Sequence, residues 1–292
     1  MSGCLFALVF CLFGPSEPRY ARPEMLLEPK ALLEIVNGPT GAYLFLDVRP
    51  QAAFEQGHLP GAYWVDEKAW SNLVAQPGPA PLAACHDRPA AFFLPEVTLV
   101  VYDDGKTVSA ARVWWLLRYW GCKKVQLLHG GYRGWQAVTG PVETGAPLCK
   151  QKITPPAAVQ QRRLARKADV LANLNQGQIV DARSLGEYCG EDKRARRAGA
   201  MPNAKHLDWV DLIDGQTQRF KSAAQLDALF RTAGIDLKRP VITYCQSGGR
   251  AAVMAFALEL MGAEQVSNYY ASWNEWGNQD DTPIVTPAKK PR

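Results

Sequence analysis

Short apolar runs alternate with segments of helical spacing along this chain, and the whole alternation occurs twice. In the first half, residues 43–48 and 99–102 are compact apolar runs of strand length, and 108–120 places apolar residues at helical intervals. In the second half, 178–181 and 241–244 read as strands, and 251–261 reads as a helix stopped by Gly262, a residue suited to a helix C-cap. Residues 125–128 and 265–268 follow as further short strands. Strands apolar on both faces, alternating with helices, predict a parallel sheet covered by helices.

The repetition is legible residue by residue. The run Leu44-Phe45-Leu46-Asp47-Val48-Arg49 returns as Gln178-Ile179-Val180-Asp181-Ala182-Arg183, an offset of 134. Gly57-His58-Leu59-Pro60-Gly61-Ala62 returns as Gly199-Ala200-Met201-Pro202-Asn203-Ala204 at 142, so the second copy has gained eight residues in between. Val100-Val101-Tyr102-Asp103 then matches Ile242-Thr243-Tyr244-Cys245 at 142, and Gly121/Gly262 and Trp135/Trp276 follow at 141. The expected fold class is α/β, with two domains that are each a parallel sheet flanked by helices on both faces. The expected boundaries are an N-terminal extension at 1–26, a first domain at 27–140, a linker at 141–167, a second domain at 168–285 and a tail at 286–292.

A length of 292 residues with 47% apolar and 21% charged positions suits two packed cores. The net charge of +5 comes from Lys and Arg interspersed with acids, so it excludes a nucleic-acid footprint. Its densest runs, 162–167 and 193–197, read first as solvated surface. The seven cysteines have neither CxxC nor metal-type spacing, so no disulfide framework and no metal are expected. Nor is there a nucleotide-binding glycine fingerprint, so no cofactor is expected. The apolar run 5–13 is too short to span a bilayer and no basic residue precedes it, which points to the cytoplasm, with export as the alternative if the run acts as a signal.

The candidate chemistry sits where the strand 241–244 runs into Cys245-Gln246-Ser247-Gly248-Gly249-Arg250 and then a helix. Ligands of open α/β sheets bind beyond the carboxyl ends of strands. A cysteine there meets the unpaired amides and positive dipole end of the helix, which favour a thiolate. Two successive glycines let the backbone curl into a nest of amides for an anion. A cysteine that was only a small buried apolar group would need none of this.

Those residues resemble the rhodanese family, which includes thiosulfate and 3-mercaptopyruvate sulfurtransferases. The carriers are the loop 245–250, the Asp-x-Arg pairs at Asp47/Arg49 and Asp181/Arg183, and the Gly-His-Leu-Pro-Gly-Ala stretch at 57–62. Ala111-Arg112-Val113-Trp114-Trp115 and Ser272-Trp273-Asn274-Glu275-Trp276 add to them. The resemblance implies a sulfurtransferase in which Cys245 takes sulfur as a persulfide from a small anionic donor and passes it to a thiophilic acceptor: cyanide, a thiol or a thioredoxin-like protein. It implies that the amides of Gln246, Ser247, Gly248, Gly249 and Arg250 hold the persulfide and that Arg250 attracts the donor. Asp103 stands where the first copy would need its cysteine, so that domain is expected to be scaffold. Arg194, then Arg197, are candidates for binding a donor carboxylate; Arg183 is a further candidate contact, with structural pairing to Asp181 and loop anchoring as its favoured role.

The loop departs from both familiar subtypes at Arg250, and Cys189 stands where mercaptopyruvate-type members have a donor-binding arginine. Thiosulfate is therefore expected ahead of 3-mercaptopyruvate. A monomer is expected, with no firm membrane association. A persulfide carrier without turnover, or a regulatory module, is the non-catalytic alternative. A cysteine phosphatase is disfavoured, because its loop has five residues between Cys and Arg and this one has four.

Overall fold

The computed structural model describes residues 18–38, 42–75, 82–86, 93–147, 151–153 and 159–288. The apolar run 5–13 and Cys4, Cys11 and Cys149 lie outside them. The first domain is built from β1 (Leu26–Leu27), α1 (Pro29–Val36), β2 (Tyr43–Asp47), α2 (Gln51–Gln56), β3 (Tyr63–Trp64), α3 (Glu67–Asn72), β4 (Leu82–His86), β5 (Thr98–Tyr102), α4 (Val108–Tyr119), β6 (Val125–Leu128) and α5 (Gly131–Ala137). β7 (Gln151–Ile153) then pairs antiparallel with β4. The second domain comprises β8 (Leu164–Ala165), α6 (Lys167–Asn173), β9 (Ile179–Asp181), α7 (Leu185–Tyr188), β10 (Lys205–His206), α8 (Ala223–Thr232), β11 (Val241–Tyr244), α9 (Gly249–Leu260), β12 (Val266–Tyr269) and α10 (Ser272–Trp276).

Each domain carries a five-stranded sheet, ordered β1-β6-β5-β2-β3 and β10-β9-β11-β12-β8, and every pairing in both is parallel. The β-branched and aromatic residues of β5 and β11 suit a strand covered on both faces, and all four residues of β11 are buried. One boundary and one surface assignment differ from the sequence reading. Leu164–Ala165, expected in the linker, is an edge strand of the second sheet, because its backbone pairs with Asn268–Tyr269. Arg163, expected on a solvated face, is buried and makes a two-bond contact of 2.8 Å each with Glu259.

Helix α9 is apolar on all sides, which fits a helix with no solvent face, and all but Arg250 of its residues are buried. It packs against α4 across the domain boundary, where Trp114 meets Phe256 edge-on at 4.9 Å. Trp115 stacks on Tyr270 at 5.1 Å. Such aromatic pairs add about 0.5–1.5 kcal/mol each beyond their buried area. One hydrophobic cluster runs from Leu44 and Trp70 through both helices to Val241 and Val266, so the two domains share a core.

Candidate active site

β11 delivers Cys245 to the carboxyl edge of the second sheet, and α9 begins four residues later. Gly248 is the N-cap, with φ +83°, and a methyl group there would stand 2.8 Å from Tyr270 Cδ2. Both the left-handed backbone and the ring behind it exclude a side chain. At Gly249 a methyl group would stand 2.5 Å from an Arg112 guanidinium nitrogen.

The loop carbonyls all face outward. The Trp273 amide donates to Cys245 O at 3.0 Å, and the Asn274 amide donates to Gln246 O at 2.9 Å. Arg112 Nη1 donates to Ser247 O at 2.7 Å. Asn268 Nδ2 and the Ala252 amide each donate to Gly248 O at 3.0 Å. In a trans peptide the N–H points opposite to the C=O, so the amides of Gln246, Ser247, Gly248 and Gly249 turn inward. No acceptor for these four is found among the described residues. Four successive amides without an internal acceptor, at the loop that carries the thiol, have the makings of an anion cradle.

Cys245 is 1% exposed. Its own amide donates to Ser272 Oγ at 3.1 Å, and that hydroxyl donates to Tyr269 O at 2.6 Å. Ser272 has φ +54°, a strained conformation for a residue with a side chain, kept by this pair of bonds. Charge reaches the thiol from two sides: Cys245 is among the groups raising both the Arg250 and the Arg112 guanidinium against the opposing effect of burial.

Arg250 is not a lone donor-binding cation. It forks onto Glu187 at 2.6 and 2.9 Å. Burial would raise the Glu187 carboxyl, but Arg250 outweighs it and holds the group down to about 2. Sequence reasoning missed Glu187, although Ser184-Leu185-Gly186-Glu187 carries the spacing of a helix capping box and forms one at the start of α7. Arg194 is exposed, with Nε 3.6 Å from Glu187, and its carbonyl accepts from Gln246 Nε2 at 3.1 Å, so it borders the loop.

The other two arginine candidates are diverted. Arg197 gives its guanidinium to the carbonyls of Trp276, Gln279 and Thr282 and to the Thr282 hydroxyl, bracing the last segment of the domain. Arg183 is 1% exposed, bonded to Asp181 and Gly199 O, and lies over the rings of Trp273 and Tyr244. Neither faces the thiol. Cys189 is buried at the C-cap of α7. Burial pushes the Cys122 thiol up to about 12, which leaves it inert.

An open pocket of ≈520 Å³ adjoins the loop, walled by Ser71, Asn72 and Arg112 from the first domain and by Ser247, Tyr270 and Asn274 from the second. A larger one of ≈700 Å³ lies at the opposite, amino-terminal ends of β11 and β12, around Arg162 and Arg166. Only the first is at the strand ends where the thiol sits.

A sequence profile of the rhodanese-like domain matches this chain twice, over residues 28–138 and 166–279. The chain is similar to a 3-mercaptopyruvate sulfurtransferase of Escherichia coli K12, 34% identical over 242 residues that cover 78% of this chain and 83% of the relative. It is also similar to a thiosulfate sulfurtransferase of Pseudomonas aeruginosa, 31% identical over 89% of this chain and 96% of the relative. Its structure superimposes on the crystal structure of SseA, a 3-mercaptopyruvate sulfotransferase from Escherichia coli, with a TM-score of 0.69 and 30% identity over 86% of this chain and 99% of that one. Two matched domains, the parallel sheets and relatives of this extent agree, and the chain belongs to the rhodanese family as a tandem-domain sulfurtransferase.

Proposed function

We propose that the protein moves a sulfane sulfur from thiosulfate to a thiophilic acceptor through a persulfide on Cys245. The observation that carries this reading is that all four loop carbonyls from Cys245 to Gly248 are bonded away from the loop, which leaves the amides 246–249 free for an anion beside that thiol. The Cys245 thiolate attacks the outer sulfur of thiosulfate, a new S–S bond forms, and sulfite leaves with the electron pair of the old one. Cyanide, a thiol or a thioredoxin-like protein then attacks the outer sulfur of the persulfide, and the thiolate is regenerated. The electrons balance without an external oxidant or cofactor, and the two half-reactions make the kinetics ping-pong. The cradle stabilises negative charge on sulfur in both steps.

Thiosulfate is favoured over 3-mercaptopyruvate by the arginines. A donor carboxylate calls for a paired guanidinium clamp, whereas Arg197 is consumed by carbonyls and Arg250 by Glu187. Arg194 alone borders the loop with its guanidinium exposed. No described helix is long and apolar enough to cross a membrane, and the protein is proposed to work as a cytoplasmic monomer.

Intact-mass analysis after incubation with each donor tests the reading. Thiosulfate should add one sulfur to the native chain and none to Cys245→Ser, and added cyanide should remove it as thiocyanate. A native chain that gains no sulfur from either donor sinks the proposal. A higher kcat/KM with 3-mercaptopyruvate than with thiosulfate reverses the choice of donor.

A further inference from the structure

The segment 111–115 takes no step in the chemistry above, yet Arg112 crosses from the first domain into the catalytic loop. Three of the four outward carbonyls are held by groups of the second domain: the amides of Trp273 and Asn274, and Asn268 with Ala252. The fourth, Ser247 O, is held by Arg112 alone among the described residues. The backbone also fixes the orientation of this peptide weakly. Its far side is Gly248, for which the conformations before and after a peptide flip are of similar cost. The Gly248–Gly249 peptide is freer still, but two donors of its own domain hold it, so the Ser247–Gly248 peptide is the one that depends on an anchor from outside.

Arg112 is equipped to be that anchor. Its Nε lies 2.6 Å from Glu67 Oε1 on α3, its Nη1 is 3.4 Å from Tyr270 Oη, and its guanidinium carbon is 5.7 Å from the Tyr270 ring centre. The side chain is largely buried, and the absence of a side chain at Gly249 makes room for it. The Glu67 contact is an ion pair without hydrogen-bond alignment, and with the Tyr270 ring beside it the planar guanidinium is left with Nη1 on the Ser247 carbonyl. The device runs one way only: the equivalent position in the second domain, at the offset of 141, is Val253, which has no donor to send back.

We propose that Arg112 is a positioning residue through which the non-catalytic domain completes the sulfur cradle, holding the Ser247 carbonyl outward and so presenting the Gly248 amide to sulfur on Cys245. This rests on the sulfur-transfer reading of the site. It assigns the first domain a part in the reaction: without it, one of four amides is free to turn away from the developing charge.

The test compares full-length Arg112→Gln and Arg112→Lys with the native chain, by thiocyanate formation from thiosulfate and by the rate of Cys245 alkylation with iodoacetamide across pH. With Gln, kcat should fall about 10–100-fold, less than the loss on deleting an oxyanion donor outright, with KM changed by less than about threefold. The midpoint of the alkylation profile should move to higher pH. Lys, which keeps the charge but not the fork, should recover part of both. Native kcat and alkylation in both variants, with only the melting temperature lowered, would show a mere tie between domains and overturn the proposal. A raised KM with native kcat and alkylation would also overturn it, because Arg112 would then be contacting the donor. If Arg112→Gln does not fold, Arg112→Lys decides by the same readouts, and native values for it overturn the proposal. Alkylation needs no sulfur donor, so a shifted profile in a protein inactive with every donor would uphold the positioning role and sink the sulfur-transfer reading instead.

Discussion

The loops after β5 and β11 descend from one repeat, and each builds a ring of backbone amides, but only the second leaves its ring facing a thiol. In the first, the Asp103 carboxylate fills the ring: Oδ1 accepts from the amides of Gly105 at 2.9 Å and Thr107 at 3.1 Å, and Oδ2 accepts from Ala110 at 3.2 Å. An aspartate oxygen lies two bonds beyond Cβ, as the outer sulfur of a cysteine persulfide does, so the first loop displays an anion held where the second would hold its sulfur. The offset between the copies drops from 142 at Asp103/Cys245 to 141 at the N-caps Thr107/Gly248, so the first loop is one residue longer. It is also covered. Methyl groups placed on Gly105 and Gly130 would each stand 3.3 Å from the second domain, at Gln218 and Thr217. The same cradle thus serves folding in one domain and, by the reading above, catalysis in the other, according to whether the protein supplies the anion.

The acid responses of the two sites differ in sign. Burial raises the Asp103 carboxyl despite its three amides, while Arg250 holds Glu187 down to about 2. A carboxyl lowered in the folded state contributes stability that is complete above its unfolded value and is lost as pH falls through the folded one. A raised carboxyl does the reverse, and its cost diminishes on acidification.

The hardest test of the comparison moves the cysteine. The double variant Cys245→Ser/Asp103→Cys should stay inactive, with turnover down roughly 10⁴-fold or more as for loss of a nucleophile, because the longer, covered loop admits no donor. A persulfide at position 103 by mass spectrometry would break the distinction. Next in size, Glu187→Gln leaves Arg250 without its counter-charge. Chemical denaturation at neutral pH should show a loss of about 3 kcal/mol, the equivalent of a carboxyl shifted from 4.5 to about 2. The variant should also lack the native chain's decline between those pH values. The smallest effect is expected from Asp103→Asn, which sets an amide nitrogen against the Ala110 N–H. Stability should fall by about 1–3 kcal/mol, by a margin that widens on acidification, while thiocyanate formation stays within about threefold of native. A large loss of activity with stability unchanged would mean that the first loop takes part in the chemistry.

Much of this molecule was legible before folding. The strands 43–47 and 241–244 announce themselves by β-branched and aromatic runs, and α9 by an apolar pattern bounded by glycines. Leu164–Ala165 was not legible, since a two-residue edge strand has no periodicity to read. The roles of the arginines were not legible for a related reason. Arg183, Arg194, Arg197 and Arg250 look alike in a chain, and their roles depend on which oxygens the fold brings to them: Asp181, the loop at Gln246, the carbonyls of 276–282, or Glu187.

The sequence by itself determined the duplication, the parallel sheets and the contrast of Cys245 with Asp103, because repeats, strand runs and a strand-to-helix glycine loop are local patterns written in neighbouring residues. Only the tertiary structure decided how the loop is held. Arg112 and Ser247 stand 135 residues apart, and Arg250 and Glu187 stand 63 apart. No local spacing encodes such pairs; they arise from packing α4 on α9 and β9 beside β11, which brings distant side chains to one edge of a sheet.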